Sequence, residues 1–336
     1  MKKITAILLL IIITLSLFAG CGRETGTETS AVPTETEVPA ETLSPLPEVD
    51  ADPLIWRVTD GDGHTLYLFG TMHACDERAE EVVERLGGII SSCDALAVEF
   101  DTVAYESDVA ALSADAGKMI YTDGSKIDDH LPEELYKRMK KTLSDAETYM
   151  SAFRYYKPAM WFSLLENVYV ENSSLSTEFG VDQMLISNAY DAGMPILEVE
   201  SGSFQLGLLT SFPDELYELM IGELLDVSYE DYGKELEGLY TAWLTGDEDA
   251  LADTADETPG EGGDELTEEE RAMVEDYNRK LIGERNVGMA EKAAEYVKSG
   301  DTVFFAVGAG HMVGEDGIVS LLEKEGYTVT RISIDG

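Results

Sequence analysis

The sequence predicts an α/β protein: a mixed, mainly parallel central sheet flanked by helices and opened by an N-terminal β-hairpin. Three observations carry this. Short apolar runs at residues 95–99, 195–200 and 303–307 have strand length and alternate with long helical stretches. That order builds a parallel sheet with helices across its faces. Two further runs, Leu54–Thr59 and Thr65–Phe69, flank Asp60-Gly61-Asp62-Gly63 and read as a hairpin. A hairpin makes the sheet mixed. Hydrophobic residues make up 44% of the chain, enough for a real core.

The segments follow in order. Residues 1–20 read as a lipoprotein signal peptide: Lys2 and Lys3, an apolar core at residues 6–13, then small residues before Cys21. An uncleaved anchor is the alternative. Acyl chains on Cys21 are expected to hold the chain at a membrane outside the cytoplasm. Residues 21–50 then form a Thr-, Pro- and Glu-rich tether that buries too little to order itself.

Residues 51–336 read as one domain. After the hairpin come a helix at 77–91, a buried strand at 95–98, mostly helix from 103 to 193, and a strand at 195–200. Residues 213–244 are helical again. From Asp247 to Glu270 there are twelve acidic residues and no basic one, an acidic insert at about 246–268. It reads as a solvated loop, because the spacing of a calcium loop is missing. Thr267 and Glu270 form a capping box that starts a helix reaching about Lys298. A strand at 303–307, a helix at 318–325 stopped by Gly326, and a strand at 327–332 complete the domain.

The formal charge is −44. It argues against nucleic acid and anionic lipid as partners, since both would be repelled. Beyond Cys21, the cysteines Cys75 and Cys93 either pair or stay free thiols, and no CxxC spacing suggests a metal knuckle.

Four histidines are present. His64 falls in the hairpin turn, where solvent is the expected partner. His130 stands before Leu131-Pro132 and reads as a local cap. His73 and His311 differ, because each follows an apolar strand by a Gly-x-x step: Gly70-Thr71-Met72-His73 and Gly308-Ala309-Gly310-His311. Both imidazoles therefore sit just past a strand's carboxyl end, the rim where open α/β sheets bind ligands. Glu99 and Glu200 arrive at strand ends in the same way. Charged groups there need partners. Two chemistries suit the set: a divalent metal held by two His and a Glu with an open water position, or a metal-free His–Glu pair acting on water. Arg285 lies on or beside the apolar stripe of its helix and is expected to pair with Glu200 or Glu99.

Together, Gly-Thr-Met-His73, Leu-Ala-Val-Glu99, Gly180-Val-Asp182-Gln, Pro-Ile-Leu-Glu-Val-Glu200 with Gln205, Glu-Arg285-Asn286 and Gly-Ala-Gly-His311-Met-Val-Gly314-Glu-Asp-Gly317 resemble the TraB/GumN (TraB/PrgY/GumN) family. That family includes the animal Tiki proteins, metal-dependent proteases of the cell surface. The resemblance runs through nearly all of residues 54–334. It implies a metal site at His73, Glu99 and His311, with Glu200 and Arg285 beside it as catalytic residues. Mn, Co and Zn are the candidate cations. A surface-anchored metal-dependent hydrolase acting on a peptide or protein is the expected function. A lipoprotein that sequesters a peptide signal without cutting it is the alternative. The related erythromycin-esterase-like and ChaN-like proteins do different chemistry, so the fold does not fix the reaction. Glu198, the acidic insert and Cys75 depart from the family pattern.

Overall fold

A computed structural model describes residues 50–256 and 266–335 of the chain. The expected signal peptide, Cys21, nearly all of the tether and the middle of the acidic insert lie outside the described residues. Among the described residues no helix is long and apolar enough to cross a membrane.

Six strands form one mixed sheet: β1 (Ile55–Thr59), β2 (Thr65–Thr71), β3 (Ala95–Val98), β4 (Ile196–Glu198), β5 (Val303–Gly308) and β6 (Thr328–Ile332). Their order is β4-β3-β5-β2-β1-β6. The hairpin β1–β2 is antiparallel, as is β1–β6, while β2–β5, β5–β3 and β3–β4 are parallel. The expected fold class is therefore the observed one. Consecutive residues of β3 and β5 are buried, so both faces of the centre are covered. The edge strand β6 is half exposed.

Sheet order is what builds the site. β5 enters between β3 and β2, although it comes last but one in the chain. Thr71 pairs with Gly308, and Val98 with Ala306. Three strands thus end at about one level, with Glu99, His311 and His73 just beyond β3, β5 and β2.

Gly70 permits this arrangement. A Cβ there would lie 3.0 Å from both Cα and Cβ of Ala309, so the two Gly-x-x-His turns pack in direct contact. Trp243 locks the exit of β2 by donating its indole N–H to the Gly70 carbonyl at 2.8 Å. Phe69 packs on Phe304 and Trp243 beneath.

Two expectations need correction, those for the acidic insert and for His130. The start of the acidic insert is a helix, Glu248–Asp256, because Leu251 and Thr254 lie three residues apart and both find buried surface. The helix from Thr267 has its capping box, with Glu270 N–H donating to Thr267 Oγ1 at 3.2 Å. It is not uniformly α-helical: Glu268–Asn278 passes through a π turn, Arg279–Gly283, into Glu284–Ser299. His130 ends a one-turn helix, makes no cap, and stacks on Tyr121 at 3.8 Å. His64 stays part-exposed in its turn, with Nδ1 2.8 Å from Asp60. Cys75 is buried and Cys93 part-buried, and both are free thiols.

Candidate active site

A cleft of about 120 Å³ opens at the carboxyl ends of β2, β3 and β5, lined by His73, Glu99, Arg285 and His311 among others. Four of the five residues singled out from the sequence line it. The fifth, Glu200, meets two of the lining residues, Arg285 and Gln205, and is held there by a backbone N–H bond to the Glu99 carbonyl at 2.8 Å.

The acidic pair and the arginine form one cluster. Arg285 places Nη2 2.8 Å from Oε2 of Glu99 and 2.9 Å from Oε2 of Glu200. Its Nε donates to both oxygens of Glu200, at 3.0 and 3.1 Å. The expected partner was either acid; the guanidinium holds both. Gln205 donates Nε2 to Glu99 at 2.8 Å and to Glu200 at 2.7 Å. Two carboxylates fix that amide's orientation, since only NH₂ can face them. Its Oε1 is left buried with no partner among the described residues. The remaining Glu99 oxygen accepts the Gly308 N–H at 2.9 Å. Burial alone would raise the Glu99 pKa. Arg285, the nearby imidazoles and the Gly308 N–H outweigh it and hold the carboxyl at about 2.

Each histidine is fixed through Nδ1. The Nδ1 of buried His311 lies 2.6 Å from Oδ1 of Asn286, whose Nδ2 donates to the Asp316 carbonyl. The acceptor Oδ1 assigns the proton to Nδ1 and leaves Nε2 with a lone pair. Burial, then the Arg285 charge, pushes the His311 pKa down to about 3. For His73, Nδ1 lies 2.6 Å from Oδ2 of Asp182, an ion-pair contact more than an aligned hydrogen bond. Thr71 steadies Asp182 by donating its hydroxyl to Oδ1. Burial disfavours the charged imidazole of His73, but Asp182 and then Glu99 overcome it and raise the pKa to about 9. His73 keeps 34% of its side chain exposed, so solvent moderates the shift while the adjacent carboxylate sets its direction.

The donor set fits a cation at the imidazoles and less well at Glu99. An oxygen partner on Nδ1 is the usual support for a metal-ligating histidine, and both histidines have one. Glu99 is already engaged by Arg285, Gln205 and Gly308. Among the described residues no three His, Cys, Asp or Glu side chains are arranged to hold a metal. Glu99 would have to leave part of its network with Arg285, Gln205 and Gly308 to join the imidazoles as a third ligand.

Asp182, Gln205 and Asn286 complete the site, and no role of their own is legible for them in the sequence. Each lies inside a recognisable motif, but nothing local says which imidazole or carboxylate it meets. Asn286 and Arg285 are neighbours in the chain and both buried, just after the π turn; such turns often mark functional positions.

A 75-residue stretch is 37% identical to a protein of Amphimedon queenslandica named "Metalloprotease TIKI homolog", covering 20% of this chain and 15% of that relative. The chain thus matches only a small part of the relative's length. No solved structure matches. The sequence model of the TraB/PrgY/gumN family matches residues 54–331, which take in the sheet from β1 almost to the end of β6 together with every residue of the cluster. The chain belongs to the TraB/PrgY/gumN family.

Proposed function

We propose that this protein is a peptide-bond hydrolase tethered outside the cytoplasm through a lipid on Cys21, with His73 and His311 as its working groups. One observation carries the reading: two imidazoles on adjacent parallel strands, each fixed through Nδ1, share a cleft with an ion-paired carboxylate. His73 and His311 would hold a divalent cation, joined by Glu99 if it turned from Arg285, and the cation would supply a water of lowered pKa and polarise the substrate carbonyl. Arg285 brings positive charge to the same cleft, where an oxyanion would develop. Glu200 and Gln205 position Arg285 and Glu99. Asp182 and Asn286 hold the two rings.

A second, metal-free reading is favoured by geometry: Nδ1 of His311 faces an amide oxygen, which leaves its Nε2 lone pair free, while Nδ1 of His73 faces the Asp182 carboxylate, which favours the protonated ring. His311, neutral, would accept a proton from water, and His73, protonated, would give one to the leaving amine.

One experiment separates these. The purified protein is stripped with a chelator, given Mn, Co, Zn or nothing, and incubated with a peptide mixture. Fragments are identified by mass spectrometry, and bound metal is counted in wild type, His73→Ala and His311→Ala. Cleavage that needs both histidines and added metal supports the first reading. Cleavage by stripped protein supports the second. Equal metal content in all three proteins would end the cation assignment. Peptides retained without fragments would replace catalysis by sequestration.

A further inference from the structure

The acidic segment plays no part in the chemistry above, yet it supplies part of the cleft's wall. Helix Glu248–Asp256 exposes Glu248, Asp249 and Asp253 and turns Leu251 inward, where it is 3% exposed. The helix packs against the Ala309–His311 turn. Leu251 joins Leu209, Leu236, Leu239, Leu281 and Ile282 in lining the cleft that holds both histidines. None of these six side chains has a polar atom, and all come from helices or the π turn. The catalytic candidates come from the strand ends and from Arg285. The cleft therefore joins the charged groups to a mostly apolar lining, in which Thr102, Thr177 and Gln183 also take part. Its volume, about 120 Å³, is close to that of an apolar cavity of roughly 150 Å³ that admits a benzene-sized guest. The whole cleft, the space over the charged groups included, thus has room for about one large side chain.

We propose that these six side chains form a specificity subsite that takes an aliphatic or aromatic side chain of a peptide, and that Leu251 is one of its specificity-determining residues. The assignment rests on the reading of the cleft as a peptide site. A charged or amide side chain set against these six would lose its water with no polar atom among them to replace it, so it is disfavoured there. The insert carries acid on its outer face and selectivity on its inner face.

The test uses uncharged nonapeptides of Gly and Ser with one central residue varied among Gly, Ala, Leu, Phe and Gln. Relative affinities for the purified protein are measured by ligand-observed NMR, which reads binding whether or not cleavage occurs. Leu and Phe should bind at least about tenfold better than Gly or Gln. Leu251→Ala should move the optimum toward Phe, and Leu239→Phe toward Ala, with circular dichroism showing both folded. Should one variant fail to fold, the other decides. A flat affinity series, no binding by any peptide, or an unchanged preference in a folded variant overturns the proposal. Graded binding with no fragments would keep the subsite and remove the hydrolase reading.

Discussion

Arg285 and Glu99 meet at 2.8 Å across 186 residues of sequence, the one from a helix beyond a π turn and the other from the end of β3. Both are largely buried, at 8% and 15% side-chain exposure. Glu200, at 10%, leans on the same guanidinium. This contact holds the cleft's charges in balance.

Removing the guanidinium should be costly. Arg285→Ala leaves two buried carboxylates without their cation, which costs about 3–5 kcal/mol for a broken buried pair. Urea unfolding measures it, and a loss below about 1 kcal/mol would show that solvent already screens the pair. Arg285→Lys should recover part of the stability but not the fork that spans both acids.

The contact between Asn286 and His311 predicts a loss of function without loss of fold. Asn286→Leu removes the acceptor that fixes the His311 tautomer. Outer contacts of this kind typically change metal affinity or activity by about 10- to 100-fold. Zinc affinity by competition with a chromophoric chelator is the readout. Unchanged affinity in a folded variant would mean that His311 needs no such support.

The two histidines should shape stability against pH from opposite sides. His73 has a folded pKa of about 9, above the ordinary 6.5, so its contribution is full below 6.5 and fades as pH rises through 9. His311 has a folded pKa of about 3, so the unfolded chain gains a proton that the folded one refuses, and stability falls as pH drops below 6.5. Chelator-treated protein should have these two limbs meeting near 6.5. His73→Gln should flatten the alkaline limb and His311→Gln the acid limb in melting curves taken across pH. NMR of the imidazoles should find His73 titrating near 9, and much lower in Asp182→Asn.

Gly180 predicts a steric effect on the first histidine. A Cβ there would lie 2.7 Å from the His73 carbonyl oxygen and 3.0 Å from that of Thr177, both backbone atoms with little room to move. Gly180→Ala should cost about 1–3 kcal/mol through forced backbone shifts. It should also disturb His73 more than His311, visible as a shift of the first imidazole resonance alone. Equal movement of both would point to a general loosening.

Much of this molecule is written locally. Alternation and turn residues mark β1 and β2, the capping box of Thr267 and Glu270 marks its helix, and the Gly-x-x-His steps mark both imidazoles at strand ends. These features depend on residues within a turn or two of each other, so the chain itself announces them. The short helix at Glu248–Asp256 escaped that reading because its charge hid one inward leucine, whose burial depends on a surface the segment does not contain.

The sequence by itself determined the fold class, the strand ends and the five charged or imidazole groups that stand at or near them. Tertiary structure alone decided that β5 slides between β3 and β2, that Arg285 takes both acids, and that Asp182 and Asn286 hold the rings. Strand neighbours are chosen by which faces bury together across hundreds of residues, and no local period records that choice.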